Sequence, residues 1–210
     1  MATTTEELQQ ILAKSGFAKK RYTFEEYLAW PGTERVEWVD GEIIVMAAAS
    51  IRHQLLASFL LTVLNLYVKH QALGIVLGSD TAMKLDAQRR GREPDVLFIR
   101  QDRVQLLREN HLDGPADMVV EIVSPESIGC DRGDKFIEYE AAGIPEYWYL
   151  DPQRQEAEFY RLDAHGRYRL APVTEGLFRS QVVTGFWLRV AWLWELPNEL
   201  DVLRELGVIR

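Results

Sequence analysis

Residues 117–127 read DMVVEIVSPES, and one of them is out of place. Met118, Val119, Val120, Ile122 and Val123 form a short apolar run, mostly β-branched, of the kind that lies in a sheet buried on both faces. Glu121 sits inside that run. An unpaired carboxylate taken out of water costs several kcal/mol, so it needs a partner, an opening to solvent, or a cation.

Working outward, residues 91–100, GREPDVLFIR, repeat the oddity. Asp95 follows Pro94 and precedes four apolar residues, and proline at a strand's first position is tolerated because it need not donate to the ladder there. Side-chain alternation puts Asp95 on one face with Leu97 and Ile99, and Glu121 on one face with Val119 and Val123. If the two strands are neighbours, both acids point at one spot near the strand ends. Two such carboxylates repel unless a proton or a metal sits between them. A hard divalent cation is the simplest resolution, since Mg²⁺ typically takes one or two protein carboxylates plus phosphate oxygens.

Around these strands the elements read in order. Thr23 caps a short helix, TFEEYLAW, with Glu26 three residues later and Pro31 beyond its end. ERVEWVDGEIIVMA alternates about Asp40-Gly41, a strong hairpin signal. Ser50 caps a long apolar helix expected to reach about Leu73, with Gly74 as its stop. GIVLGSD, TAMKLD, PDVLFIR and DMVVEIV read as strands. Cys130–Ala142 reads as a helix capped by Asp131 with a Gly143-x-Pro145 stop, followed by the strand EYWYLD. The expected fold is α/β (α+β), a mixed central sheet flanked by helices, with an N-terminal hairpin. From residue 155 the segments EAEFYRL, GRYRLAPV, LFRSQVV and FWLRV are short and alternating. They are expected to form a C-terminal antiparallel extension on the sheet edge that ends in a helix, NELDVLREL. No repeat or linker divides the chain, so residues 1–210 read as one domain: a mobile arm over 1–20, a core over 22–152, and the extension over 155–210.

The 210 residues suffice for a full core, and 47% hydrophobic with 27% charged residues is ordinary for a globular protein. The net charge of −8 argues against a broad basic surface for long nucleic acid, though not against a local basic groove. Cys130 is the single cysteine, which excludes an intrachain disulfide and points to a reducing, cytoplasmic setting. His53, His70, His111 and His165 are scattered, which argues against a zinc site. The start, MATTTEELQQ, has no secretory signature, and the apolar stretch Leu55–Val68 reads as a buried helix too short to span a bilayer.

Pro94-Asp95, followed after a strand and a loop by an acid in an apolar strand, resembles the PD-(D/E)XK nuclease superfamily, the restriction-endonuclease-like fold. Four blocks sharpen the resemblance to the bacterial "putative restriction endonuclease" family: VEWVDGEIIVM, PDVLFI, DMVVEIVSPES followed by DRGDK, and GIPEYWYLD. The superfamily's usual third strand reads acid-x-Lys, whereas Val123 stands at the lysine position here. The resemblance puts the lysine on the following helix, at Lys135 in DRGDK. A helical side chain leans toward the helix N-terminus, so an ammonium there could reach back to the strand ends.

By resemblance, Asp95 and Glu121 would hold Mg²⁺ or Mn²⁺ against a phosphate oxygen. Lys135 would orient or deprotonate the attacking water, and Glu37 would sit beside the site, with Asp40 close enough that either could be structural. Gln54 matches a family block and is expected to line the cleft. The implied function is a divalent-metal-dependent endonuclease acting on nucleic acid, DNA first, as a homodimer with no membrane association. The alternatives are a catalytically silent relative that binds nucleic acid or a protein without cutting, and hydrolysis of a small phosphate-containing molecule. Trp148 and Tyr147 read as core aromatics, His53 as a hydrogen-bonded structural residue, and Arg132-Gly133-Asp134 as coincidence with the cell-adhesion tripeptide.

Overall fold

The computed structural model describes residues 20–123 and 133–210. All but Lys20 of the expected arm, together with Cys130 and the expected Asp131 cap, lie outside the described residues. Helix α1 (Phe24–Leu28) is held by the expected capping box: Glu26 N–H donates to Thr23 Oγ1, and Thr23 N–H donates to Glu26 Oε2. The hairpin of β1 (Val36–Val39) and β2 (Glu42–Val45) turns on Asp40 and Gly41 at φ of 50° and 88°. A two-residue hairpin turn of this twist demands positive φ at both positions, which is why Asp-Gly announces it.

Helix α2 (Ile51–His70) begins where expected, with His53 N–H donating to Ser50 Oγ. It stops earlier than Leu73, because Ala72 adopts a left-handed φ of 53°. Gly74 opens β3 (Gly74–Gly78) at φ 150°, where an added Cβ would lie 2.0 Å from the Ile99 carbonyl oxygen. Composition and length alone would let α2 cross a membrane. Its buried face, with Leu60, Val63, Leu64 and Val68 wholly covered, packs against the central sheet instead.

The central sheet orders six strands as β11-β10-β9-β8-β6-β3, from β6 (Val96–Arg100), β8 (Met118–Ile122), β9 (Glu146–Asp151), β10 (Glu156–Leu162) and β11 (Tyr168–Leu170) with β3. Among the described residues of this sheet, β8 and β9 are the pair that run parallel, as the helix between them, α3 (Lys135–Ala141), requires. One face carries Val96, Phe98, Val120, Ile122 and Trp148 against α2. The other carries Leu97, Ile99, Val119, Val123 and Tyr147 against Tyr139 of α3.

The N-terminal hairpin does not stand alone. It enters a second sheet, ordered β2-β1-β5-β4-β7, with β4 (Ala82–Leu85), β5 (Arg90–Arg92) and β7 (His111–Leu112). TAMKLD therefore belongs to this second sheet, and β5 was not anticipated. β10 and β11 extend the central sheet at its edge as expected. β12 (Leu177–Arg179) and β13 (Trp187–Arg189) form a separate ribbon, followed by α4 (Trp192–Glu195) and α5 (Glu199–Glu205).

A buried charge network and candidate active site

β6 and β8 are antiparallel neighbours with Val96 opposite Val120, so the register carried one step further sets Asp95 opposite Glu121. Ile122 N–H donates to Asp95 Oδ2 at 2.8 Å, which ties the two strand ends together. Their face-mates Leu97, Ile99, Val119 and Val123 share one core cluster, as the alternation required. Both acids are buried.

Lys135, the first residue of α3, is 2% exposed. The helix starts later than expected among the described residues, yet the ammonium reaches back as the side-chain lean predicts. Nζ donates to Glu121 Oε2 at 3.0 Å and lies 3.1 Å from Glu37 Oε1. One helical turn on, Tyr139 donates its hydroxyl to Glu121 Oε1 at 2.6 Å. Burial and the Glu121 charge hold the Tyr139 hydroxyl well above its ordinary pKa, so it stays a donor.

Glu37 is fully buried on β1, and the structure separates it from Asp40, which sits in the turn and pairs with Arg90 at 2.7 Å. Arg92 Nη1 donates to Glu37 Oε2 at 2.7 Å, and Glu93 N–H donates to Oε1. Burial alone would raise the Glu37 pKa, but Lys135 and Arg92 hold it below the ordinary carboxylate range. Arg92 also grips Glu138 of α3 through Nε and Nη2, at 2.8 and 2.9 Å, and Arg90 Nε donates to the same carboxylate at 2.6 Å. Acid and cation thus alternate from Glu121 through Lys135, Glu37, Arg92 and Glu138 to Arg90. Each charge is compensated by a neighbour, the condition under which buried ions are tolerated.

Asp95 faces a different set. His53 Nε2 lies 3.0 Å from Asp95 Oδ1, and Arg35 Nη1 is 3.5 Å from the same oxygen. Burial opposes ionisation, but the His53 hydrogen bond, Arg35 and the Ile122 N–H together keep the Asp95 pKa below its ordinary value. Arg35 also contacts Glu93, whose other oxygen accepts from the Tyr27 hydroxyl at 2.7 Å. Arg35, Glu93 and Tyr27 line a cavity of about 280 Å³ together with Trp30, Asp80 and Asn110, so an open space adjoins the Asp95 end of the site.

All four residues nominated from sequence therefore fall in one region between the two sheets. The sequence reading missed Arg92, Glu138, Tyr139 and Arg35, and it gave His53 only a structural role. The available signal was Arg90-Gly91-Arg92, whose alternation sets both guanidiniums on one face. Gln54 is exposed on the first turn of α2, while Trp148 and Tyr147 are wholly buried core residues.

The donor chemistry suits a hard divalent cation that brings other ligands with it. Two carboxylates on facing strand positions are oxygen ligands of the right kind. Among the described residues no group of three or more His, Cys, Asp or Glu is placed to hold an ion.

A search of curated proteins found no match. Among solved structures the chain is similar to "a putative nuclease belonging to DUF820" from Anabaena variabilis ATCC 29413. The TM-score is 0.70 at 20% identity, over 82% of this chain and 97% of that one. At that identity the likeness speaks to the fold alone, a mixed α+β architecture. The family model described as "Putative restriction endonuclease", Uma2, matches residues 24–191. With that match spanning most of the sequence, and with the buried acids where the fold brings its strand ends together, the chain belongs to the Uma2 family.

Proposed function

We propose that the protein is a divalent-metal-dependent endonuclease that hydrolyses phosphodiester bonds of nucleic acid, DNA foremost. The observation that carries this reading is the pair of buried acids, Asp95 and Glu121, at facing positions of adjacent strands, with the Lys135 ammonium 3.0 Å from Glu121. Asp95 and Glu121 would hold Mg²⁺ or Mn²⁺. When bound there, the ion would polarise a phosphate oxygen and acidify a water enough to attack at neutral pH. Lys135 orients that water and offsets negative charge as it develops at phosphorus. Glu37 and Tyr139 hold Lys135 and Glu121 in place, since a site of this kind depends on supporting groups as much as on its ligands. Substrate approaches from the side of the Arg35 cavity, where a guanidinium one quarter exposed can meet a phosphate. Pairing of two copies of the chain belongs to the same proposal, and sedimentation at micromolar concentration tests it.

One observation favours a second reading, a relative that binds nucleic acid without cutting. Both Glu121 oxygens already accept hydrogen bonds, from Lys135 and Tyr139. The experiment that separates the two is incubation of plasmid and single-stranded DNA with Mg²⁺ or Mn²⁺, alongside Asp95→Asn and Glu121→Gln. Metal-dependent nicking that both substitutions abolish is the expected result. Undiminished nicking in both variants would overturn the site, and salt-sensitive retention without cleavage in either metal would favour the second reading.

A further inference from the structure

His53 occupies a costly position. It is 7% exposed, on the first turn of α2, and its Nδ1 is buried with no hydrogen-bond partner among the described residues. An unsatisfied buried ring nitrogen costs on the order of 1–3 kcal/mol. An apolar side chain of similar size would avoid that cost but would take a donor from the buried Asp95 carboxylate, so the reason for the residue lies in what it does for that acid.

The other ring nitrogen makes the one side-chain hydrogen bond, to Asp95 Oδ1 at 3.0 Å. An ionised carboxylate only accepts, so Nε2 carries the proton. Ile122 N–H meets Oδ2 from the sheet, His53 meets Oδ1 from the helix, and Arg35 Nη1 adds a longer contact of 3.5 Å to Oδ1. A carboxylate gripped at both oxygens cannot rotate, which leaves its remaining lone pairs aimed in a fixed direction. The ring itself is held rigidly. His53 N–H caps onto Ser50 Oγ, and α2 continues for twenty residues with its apolar face in the core.

Resting on the nuclease reading above, we infer that His53 is a positioning residue. It fixes the Asp95 carboxylate for a divalent cation and does not touch substrate. The buried Nδ1 is then the stability cost of having a donor at Nε2. Groups that orient a ligand in this way typically change metal affinity about 10–100-fold when removed.

The test compares His53→Leu, which keeps bulk and loses the donor, with His53→Gln, whose amide N–H can still reach toward Asp95. Binding of Mn²⁺ alone to the full chain is read by loss of the free-ion electron paramagnetic resonance signal, and thermal melting of each variant is recorded in parallel. The expected order of affinity is wild type, then Gln close behind, then Leu weaker by about 10–100-fold. The Leu variant's DNA cutting is expected to need more Mn²⁺ for half-maximal rate while recovering at saturation. Equal Mn²⁺ affinity in the Leu variant and wild type overturns the inference and leaves the nuclease reading standing. Equal weakening in Leu and Gln overturns it too, because the donor would then be immaterial. If the wild-type chain binds no Mn²⁺, the metal reading fails and this inference fails with it.

Discussion

Lys135 Nζ sits 3.0 Å from Glu121 Oε2 and 3.1 Å from Glu37 Oε1, so one ammonium serves two buried carboxylates that come from different sheets. Glu121 lies on β8 of the central sheet and Glu37 on β1 of the second. The lysine joins the two layers electrostatically, and α3 delivers it to the place where they meet.

That relationship predicts the effect of Lys135→Met. Two buried acids lose a shared cation, and breaking a buried pair from one side costs about 3–5 kcal/mol. Urea unfolding should show a loss of this size, and DNA cutting should vanish. A stable variant that cuts at the wild-type rate would remove the lysine from the chemistry and leave the acids in place.

The pH dependence has a definite sign. Burial raises Glu37 and Asp95, but Lys135 and Arg92 for the first, and His53 and Arg35 for the second, more than offset it. A carboxylate with a depressed folded-state pKa binds its proton more weakly folded than unfolded. Its stabilisation is therefore present above the unfolded value of about 4 and lost as pH falls through the folded value. Melting temperature should hold level for these groups from neutral pH to about 5 and drop below about 4. In Glu37→Gln the acid-side drop should be shallower. An identical drop in that variant would assign acid lability to other carboxylates.

Gly74→Ala tests the junction of β3 and β6. The new Cβ would lie 2.0 Å from Ile99 O, at a φ of 150° that L side chains rarely adopt. The expected loss is on the order of 3 kcal/mol by chemical denaturation. A loss under a few tenths would mean that the strand end shifts freely.

Glu146→Ala tests how the C-terminal extension is fastened. This fully buried carboxylate on β9 accepts from Trp148 Nε1, Ser180 Oγ and Gln181 N–H at 2.9, 2.8 and 3.0 Å. Truncation leaves two buried donors unpaired, Trp148 Nε1 and Ser180 Oγ, each costing about 1–3 kcal/mol, and releases the N–H of the exposed Gln181. Limited proteolysis should then cut first within residues 171–198, before the core is touched. Uniform digestion would show that the apolar packing of Phe178 and Phe186 holds the extension without the carboxylate.

The hairpin, the capped helices and the two acid-bearing strands were legible from local order alone. Each depends on contacts a few residues apart: Asp40-Gly41 needs only its own φ angles, and Thr23 and Glu26 cap each other. The alternation of 95, 97 and 99 against 119, 121 and 123 followed from strand geometry. β5 escaped because Arg90-Gly91-Arg92 has no apolar signal. Its pairing is specified by Gly91, whose missing Cβ lets Phe24 and Tyr27 lie close, and by acids 46 to 55 residues away in sequence.

By itself, then, the sequence determined which acids stand inside apolar strands and which face of its strand each occupies, because side-chain period is a local property. Only the tertiary structure decided what neutralises them. Whether a buried charge is tolerated depends on partners within about 3 Å, and those arrive from another sheet, a later helix and the first turn of α2. Of the partners of Glu121 and Asp95, Lys135 was expected from the family resemblance, whereas Tyr139, His53 and Arg35 were set by folding rather than by any spacing along the chain.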